Sequence, residues 1–202
     1  TADLVGLDTF VHVAQNCYDT LTEDEERDVF QMPHFVQQMV EKGYLGRKTK
    51  AGFFKREKGT MYKLNLDTME YEERGEKPSF DSTSGARGPA AKRIKKVVVD
   101  GEDRAAKFAR EVTLRSLAYS ARRLGEIADD IVNIDRGMRW GFNWDLGPFQ
   151  TWDAIGVEWG ANQMKELGFA VPSWVDDMIA NGHDAFYKYD GATALYYDYK
   201  SG

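Results

Sequence analysis

Apolar and polar positions along the chain fall into a pattern that occurs twice. Asp3-Leu4-Val5-Gly6-Leu7-Asp8 returns as Asp153-Ala154-Ile155-Gly156-Val157-Glu158, an offset of 150. Pro33-His34-Phe35-Val36 through Met39-Val40 to Gly43 returns as Pro172-Ser173-Trp174-Val175 through Met178-Ile179 to Gly182, an offset of 139. Phe53-Phe54-Lys55 returns as Phe186-Tyr187-Lys188, an offset of 133. The offset shortens between the blocks, around residues 22–27 and 45–51, as loop deletions between paired elements would make it do. In the middle block proline suits the first helical turn and glycine the position past its end. Phe35, Val36, Met39 and Val40 then share one face of a short amphipathic helix, as do Trp174, Val175, Met178 and Ile179. Each copy should end in a small β-hairpin. The second runs Phe186 to Tyr189, turns at Asp190-Gly191 and returns through Ala194 to Tyr197; the first has Phe53 to Lys55, Gly59 and Met61 to Leu66.

The second copy extends further upstream. Periodicity predicts a long helix over 105–127 with Phe108, Val112, Leu117, Ala121 and Leu124 on its apolar stripe. Its small residues Ala109, Ser116, Ala118, Ser120 and Ala121 would let another helix approach closely. A shorter helix follows over about 130–140. Pro148 then fits a first helical position, and Phe149, Trp152 and Ile155 share a face before Gly156. The chain opens inside an apolar pattern at Thr1, so the equivalents of these helices in the first copy are expected to precede it, as in a truncated piece of a longer protein. Residues 1–71 are therefore read as the C-terminal portion of a first helical copy, 72–104 as a polar connector rich in Gly, Pro and Ser, and 105–202 as the second copy. The basic run Lys92-Arg93-Ile94-Lys95-Lys96 in that connector reads as a solvated surface, because acidic residues flank it.

Composition narrows the function classes. With 42% hydrophobic and 13% aromatic residues the chain is globular. A formal charge of -6 argues against nucleic acid as the main partner, since phosphate binding needs a positive field. The single cysteine, Cys17, excludes an internal disulfide framework and a multi-cysteine zinc site, and fits a reducing, cytoplasmic setting. No apolar run reaches the length of a membrane span.

Chemistry is sparse. A dinucleotide site needs a strand, a Gly-x-Gly-x-x-Gly turn and a helix, and no such arrangement is present. His12, His34 and His183 lack a second histidine three or four residues away, so no metal site is expected. His34 and His183 read as surface or capping residues near helix ends. Cys17 with His12 reads as a buried structural cysteine rather than a thiol–base pair. Asp129-Asp130 and Asp176-Asp177 suit helix starts through the helix dipole alone. No catalytic, cofactor-binding or metal-binding residue is assigned.

Residues 3–9 with Gly43-Tyr44-Leu45-Gly46-Arg47-Lys48-Thr49-Lys50-Ala51-Gly52-Phe53-Phe54 resemble the end of the C-terminal domain of 3-hydroxyacyl-CoA dehydrogenases. Ile134 to Met138, and Leu146-Gly147-Pro148-Phe149 to Gly156, resemble the middle of that domain in a second copy. The family phrase has glycine where Lys50 stands. Two consecutive copies resemble long bacterial fatty-acid β-oxidation proteins. The resemblance implies a mainly α fold of tandem helical units, each with a small hairpin. It also implies an upstream NAD-binding domain, a fused enoyl-CoA hydratase domain, and oxidation of a 3-hydroxyacyl-CoA to the 3-ketoacyl-CoA with NAD. The catalytic histidine–glutamate pair would lie in the NAD-binding domain, so the chain alone should be inactive and bind no NAD. A further active-site asparagine of the family aligns with Glu111 here; a carboxylate cannot donate as an amide does, which implies that the second copy lacks that role. The competing reading is a non-catalytic helical interaction or oligomerisation module, with homo-oligomers forming through uncovered apolar surface. A helical C-terminal domain of the 6-phosphogluconate type is disfavoured by the duplicated Gly-Pro-Phe and Lys-Thr-x-x-Gly-Phe pattern.

Overall fold

A computed structural model describes residues 1–191 and 193–202, which are mainly α-helical and divide into two compact units, Thr1–Pro78 and Ser79–Gly202. In the first unit a short helix α1 (Ala2–Val5) meets α2 (Leu7–Thr20) at Gly6, whose φ of 104° is a conformation L side chains rarely adopt. After a 3-10 turn (Arg27–Phe30) comes α3 (His34–Glu41), with Pro33 immediately before it. The end of α3 closes as expected of a glycine stop: Gly43 has φ 73°, and the Tyr44 amide donates back to the Met39 carbonyl at 2.8 Å. The apolar face of α3 supplies Val36 and Met39 to a core completed by Leu7, Leu64 and Met69.

Strands β1 (Phe54–Glu57) and β2 (Thr60–Leu64) form the expected hairpin, in register Phe54 opposite Lys63. A third strand, β3 (Tyr71–Glu73), adds antiparallel to β2, with Leu64 opposite Tyr71. It is brought there by a turn in which the Asn65 side chain accepts from the Asp67 and Thr68 amides.

The stretch 72–104 is structured rather than a plain connector. Beyond β3 it holds α4 (Asp81–Ser84) and α5 (Ala90–Val98), both inside the second unit. The basic run is the solvent face of α5, and the residues between the cations explain why it folds: Val98 is buried and Ile94 packs on the core.

Helix α6 (Arg104–Arg122) begins where Asp103 accepts from the Ala106 amide at 2.9 Å, and Asp103 also ties α4 down through the Ser82 amide and hydroxyl. It ends short of the expected residue 127, because Gly125 takes φ 88° and donates to Ala128 in a tight loop. Its buried stripe also differs from expectation. Ala106, Leu114, Leu117, Ala118 and Ala121 face inward, whereas Phe108 and Val112 are 72% and 52% exposed. Arg110 accounts for the shift at this end: its guanidinium donates to the carbonyls of Val98, Val99 and Gly101, turning that face toward α5.

Helix α7 (Ile131–Phe142) is capped by Asp130 on the Asn133 amide. Helix α8 (Pro148–Ile155) has proline at its first position, and α9 (Val157–Glu166) follows through Gly156 at φ 94°. Phe149 and Trp152 are fully buried and Ile155 nearly so, each contributing about 1.5–3 kcal/mol of apolar burial. Helix α10 (Ser173–Ala180) adds Val175 and Met178 to the same core. The unit closes with β4 (Tyr187–Asp190) and β5 (Thr193–Tyr196), with Asp190 opposite Thr193. Asp190 is therefore the last strand residue and not, as expected, part of the turn.

Candidate functional site

The polar geometry of each unit centres on an aspartate three residues before the helix-breaking glycine. In the first unit Asp3 accepts from the Phe53 amide at 2.8 Å and the Phe54 amide at 3.0 Å. In the second, Asp153 accepts from the Phe186 amide at 2.7 Å and the Tyr187 amide at 3.0 Å. The surroundings agree in detail. Gly6 and Gly156 share ψ values of 126° and 124°. The Phe53 carbonyl accepts from Leu64 at 2.8 Å, and the Phe186 carbonyl from Tyr197 at 2.8 Å. Phe35 meets Phe53 edge-on at 6.3 Å between ring centroids, as Trp174 meets Phe186 at 6.0 Å. In each case a carboxylate on a helix takes both amides at the mouth of a hairpin, so the strand pair is fastened to the helices behind it.

Glycines make the first clamp possible. A Cβ at Gly52 would overlap the Asp3 carboxylate, and one at Gly46 would overlap the Asp3 backbone. Tyr71 donates to the Gly52 carbonyl at 2.6 Å, and burial pushes its phenol up to about 12. Arg47, Lys48 and Lys50 surround the loop; Lys48 pairs with Asp8, whose carboxyl it holds below the usual range.

The second unit adds Asp135, on α7. Only 2% exposed, it accepts from the Phe149 amide at 2.8 Å, the Gln150 amide at 3.1 Å and the Tyr187 hydroxyl at 2.9 Å. It thereby caps the N-terminus of α8, where unpaired N–H groups favour an anion. Gly147 lies against it so closely that a Cβ there would overlap the carboxylate. Burial raises Asp135, and raises Asp153 to about 6; the neighbouring Asp135 and Asp184 push Asp153 the same way. Burial and the adjacent carboxylates push the Tyr187 phenol up as well. Both oxygens of each aspartate are occupied by structural donors. Such an arrangement orients α7, α8 and the hairpin relative to one another.

A groove of about 740 Å³ runs between α5 and α6, with Ile94, Val97 and Leu117 among its apolar lining and Trp144 beside it. The Arg93–Asp145 ion pair, at 2.7 Å, stands at its edge.

The residues weighed in the sequence lie apart. His12 and His34 are exposed, on α2 and α3, and Cys17 is half-buried on α2 rather than buried. His183 is half-buried with its ring 5.2 Å from that of Tyr197. Glu111 is exposed on α6. Asp130 is a helix cap, and Asp176 pairs with Lys165 at 2.6 Å. Among the described residues no three metal-ligating side chains converge. The described strands pair antiparallel throughout, and none leads through a glycine-rich turn into a helix, so these residues do not fit a bound dinucleotide. No described helix is long and apolar enough to cross a membrane. The role of Asp135 and Asp153 was missed in the sequence. The signal was present for Asp153, which stands first in a block matched to Asp3, but only the distant hairpin amides give it meaning.

Residues 1–56 match the family described as 3-hydroxyacyl-CoA dehydrogenase, C-terminal domain. The chain is 44% identical, over 98% of its length, to a probable 3-hydroxyacyl-CoA dehydrogenase of Bacillus subtilis (strain 168). It spans about a quarter of the length of that curated relative, 25%.

Proposed function

We propose, from the match of residues 1–56 to the C-terminal-domain family of 3-hydroxyacyl-CoA dehydrogenases, that the chain is the end of one such domain followed by a second copy. The observation that carries the duplication is the paired clamp: Asp3 on Phe53 and Phe54, Asp153 on Phe186 and Tyr187. Because the second compact unit begins at Ser79, we read the second copy as including α4 and α5.

In the parent polypeptide the first copy closes over the acyl-CoA site, and the second takes the place of the dimer partner that single-copy relatives recruit. The parent oxidises a 3-hydroxyacyl-CoA to the 3-ketoacyl-CoA in cytoplasmic fatty-acid β-oxidation, with an enoyl-CoA hydratase domain fused elsewhere. NAD, the hydride acceptor when bound, belongs to the upstream domain. Similarity along the whole chain to a relative four times as long supports this assignment. This chain's own part is positional: within each copy the clamp holds the hairpin against its helices.

Titration calorimetry tests the division of labour. The isolated chain should give no saturable heat with NAD, and the parent should bind it. Saturable NAD binding by the chain alone would place the cofactor site here and overturn the reading.

A further inference from the structure

The groove between α5 and α6 joins two properties that the clamps do not use. Its lining is apolar, with Ile94 and Val97 of α5, Val112 and Leu117 of α6, and Trp144 and Leu146 from the segment before α8. Its volume of about 740 Å³ falls in the range that small ligands occupy, roughly 300–1,000 Å³. The helix on one side of it is cationic. Residues 82–99 carry Arg87, Lys92, Arg93, Lys95 and Lys96 and no acidic residue, in a chain whose formal charge is -6.

Two of these cations stand at the groove. Arg93 belongs to its lining, and one guanidinium nitrogen donates to Asp145 at 2.7 Å. That pair is open to water, with side chains 47% and 69% exposed, so it is weak, and the planar guanidinium has further N–H donors for a second anion. Lys96, one turn further along α5, folds back over the α4–α5 loop: its Cε would stand 3.6 Å from a Cβ at Gly85, the neighbour of Ala86 in the lining. We propose that the groove binds an amphiphile, with one aliphatic chain laid between α5 and α6 and an anionic headgroup on Arg93 and Lys96. The chain takes Val97 and Val112 out of water, and the headgroup accepts charge-assisted hydrogen bonds. A carboxylate and a phosphate monoester share that headgroup chemistry. The site does not depend on which reaction the parent catalyses.

Titration calorimetry on the full 202-residue chain tests it, with ligands kept below micelle-forming concentrations. Dodecanoate or dodecyl phosphate should bind saturably at one site per chain, and the tighter of the two identifies the headgroup. Dodecanol, with the same chain and no charge, should bind at least about tenfold more weakly, and inorganic phosphate should give no saturable heat. Arg93→Gln combined with Lys96→Gln should lower the anionic ligand to the dodecanol level and leave dodecanol unchanged. Val112→Glu should weaken both. All three side chains are exposed, so the variants should keep the helical circular dichroism of the wild type. Failure of both anions to bind saturably overturns the proposal, as does dodecanol binding as tightly as they do. Anion binding indifferent to the loss of the two cations, or to Val112→Glu, overturns it as well.

Discussion

Asp153 and Asp3 make the same two hydrogen bonds in different surroundings, and the difference sets what each contributes. The amides held by Asp153 are partly buried, whereas the Phe54 amide held by Asp3 is exposed and can turn to water. Asp153→Ala should therefore cost about 2 kcal/mol or more, because it leaves two amides without partners, and Asp3→Ala about 1 kcal/mol. Urea unfolding followed by tryptophan and tyrosine fluorescence would separate the two. The same carboxyl carries a pH dependence of definite sign. Burial raises Asp153 from 3.8 to about 6, so the folded state binds its proton more tightly than the unfolded state does. Its stabilising contribution is fully present below pH 3.8 and is lost as pH rises through about 6. Asp135 is raised by the same cause and adds to the slope. Asp8, Asp103 and Asp198 are held low and act in the opposite sense only at more acid pH. Melting temperature should thus rise as pH falls from 7 toward 5, and Asp153→Asn should flatten that rise. An unchanged slope in the variant would remove Asp153 as its source.

The helices and hairpins were legible in the sequence to very different degrees. Both short helices between proline and glycine were legible because start, stripe and stop agree within eight or so residues, and local chemistry decides all three. The second hairpin was legible apart from a shifted turn. Long-range partners were not. Strand β3 exists because β2 offers it an edge, and α5 folds because Val98 and Ile94 have the second unit's core to pack on. A polar, cation-rich stretch gives no sign of either. The stripe of α6 was misplaced at its N-terminal end for a related reason: Phe108 and Val112 have helical spacing, but Arg110 draws the adjacent face onto the carbonyls of Val98, at the end of α5, and Gly101 beyond it. Glycine packing, too, is invisible until the fold is known. Gly52→Ala should destabilise the first unit by about 1–3 kcal/mol, since the added Cβ must displace the Asp3 carboxylate from the hairpin amides. Gly43→Ala offers the contrast, with open space around its Cβ and a cost confined to its positive φ, about 1 kcal/mol. Chemical denaturation of the two variants compares them directly.

For the whole molecule, the sequence pattern was enough to suggest two related helical units, and the carboxylates of the candidate site act as structural clamps. That outcome follows from the inventory of donors and acceptors. Asp135 and Asp153 are the most buried carboxylates in the second unit's polar core, yet their oxygens are committed to amides and to Tyr187. Under the proposed function, the reaction belongs to parts of a longer parent polypeptide, and the clamps serve to hold this chain's elements in place. The most direct test is a spectrophotometric assay of the purified parent polypeptide for NAD reduction, with a 3-hydroxyacyl-CoA offered beside 6-phosphogluconate and run in parallel with the 202-residue chain. Turnover is expected from the parent with the 3-hydroxyacyl-CoA alone, and none from the chain with either substrate. A parent that ignores the thioester, or an isolated chain that turns it over, would contradict it.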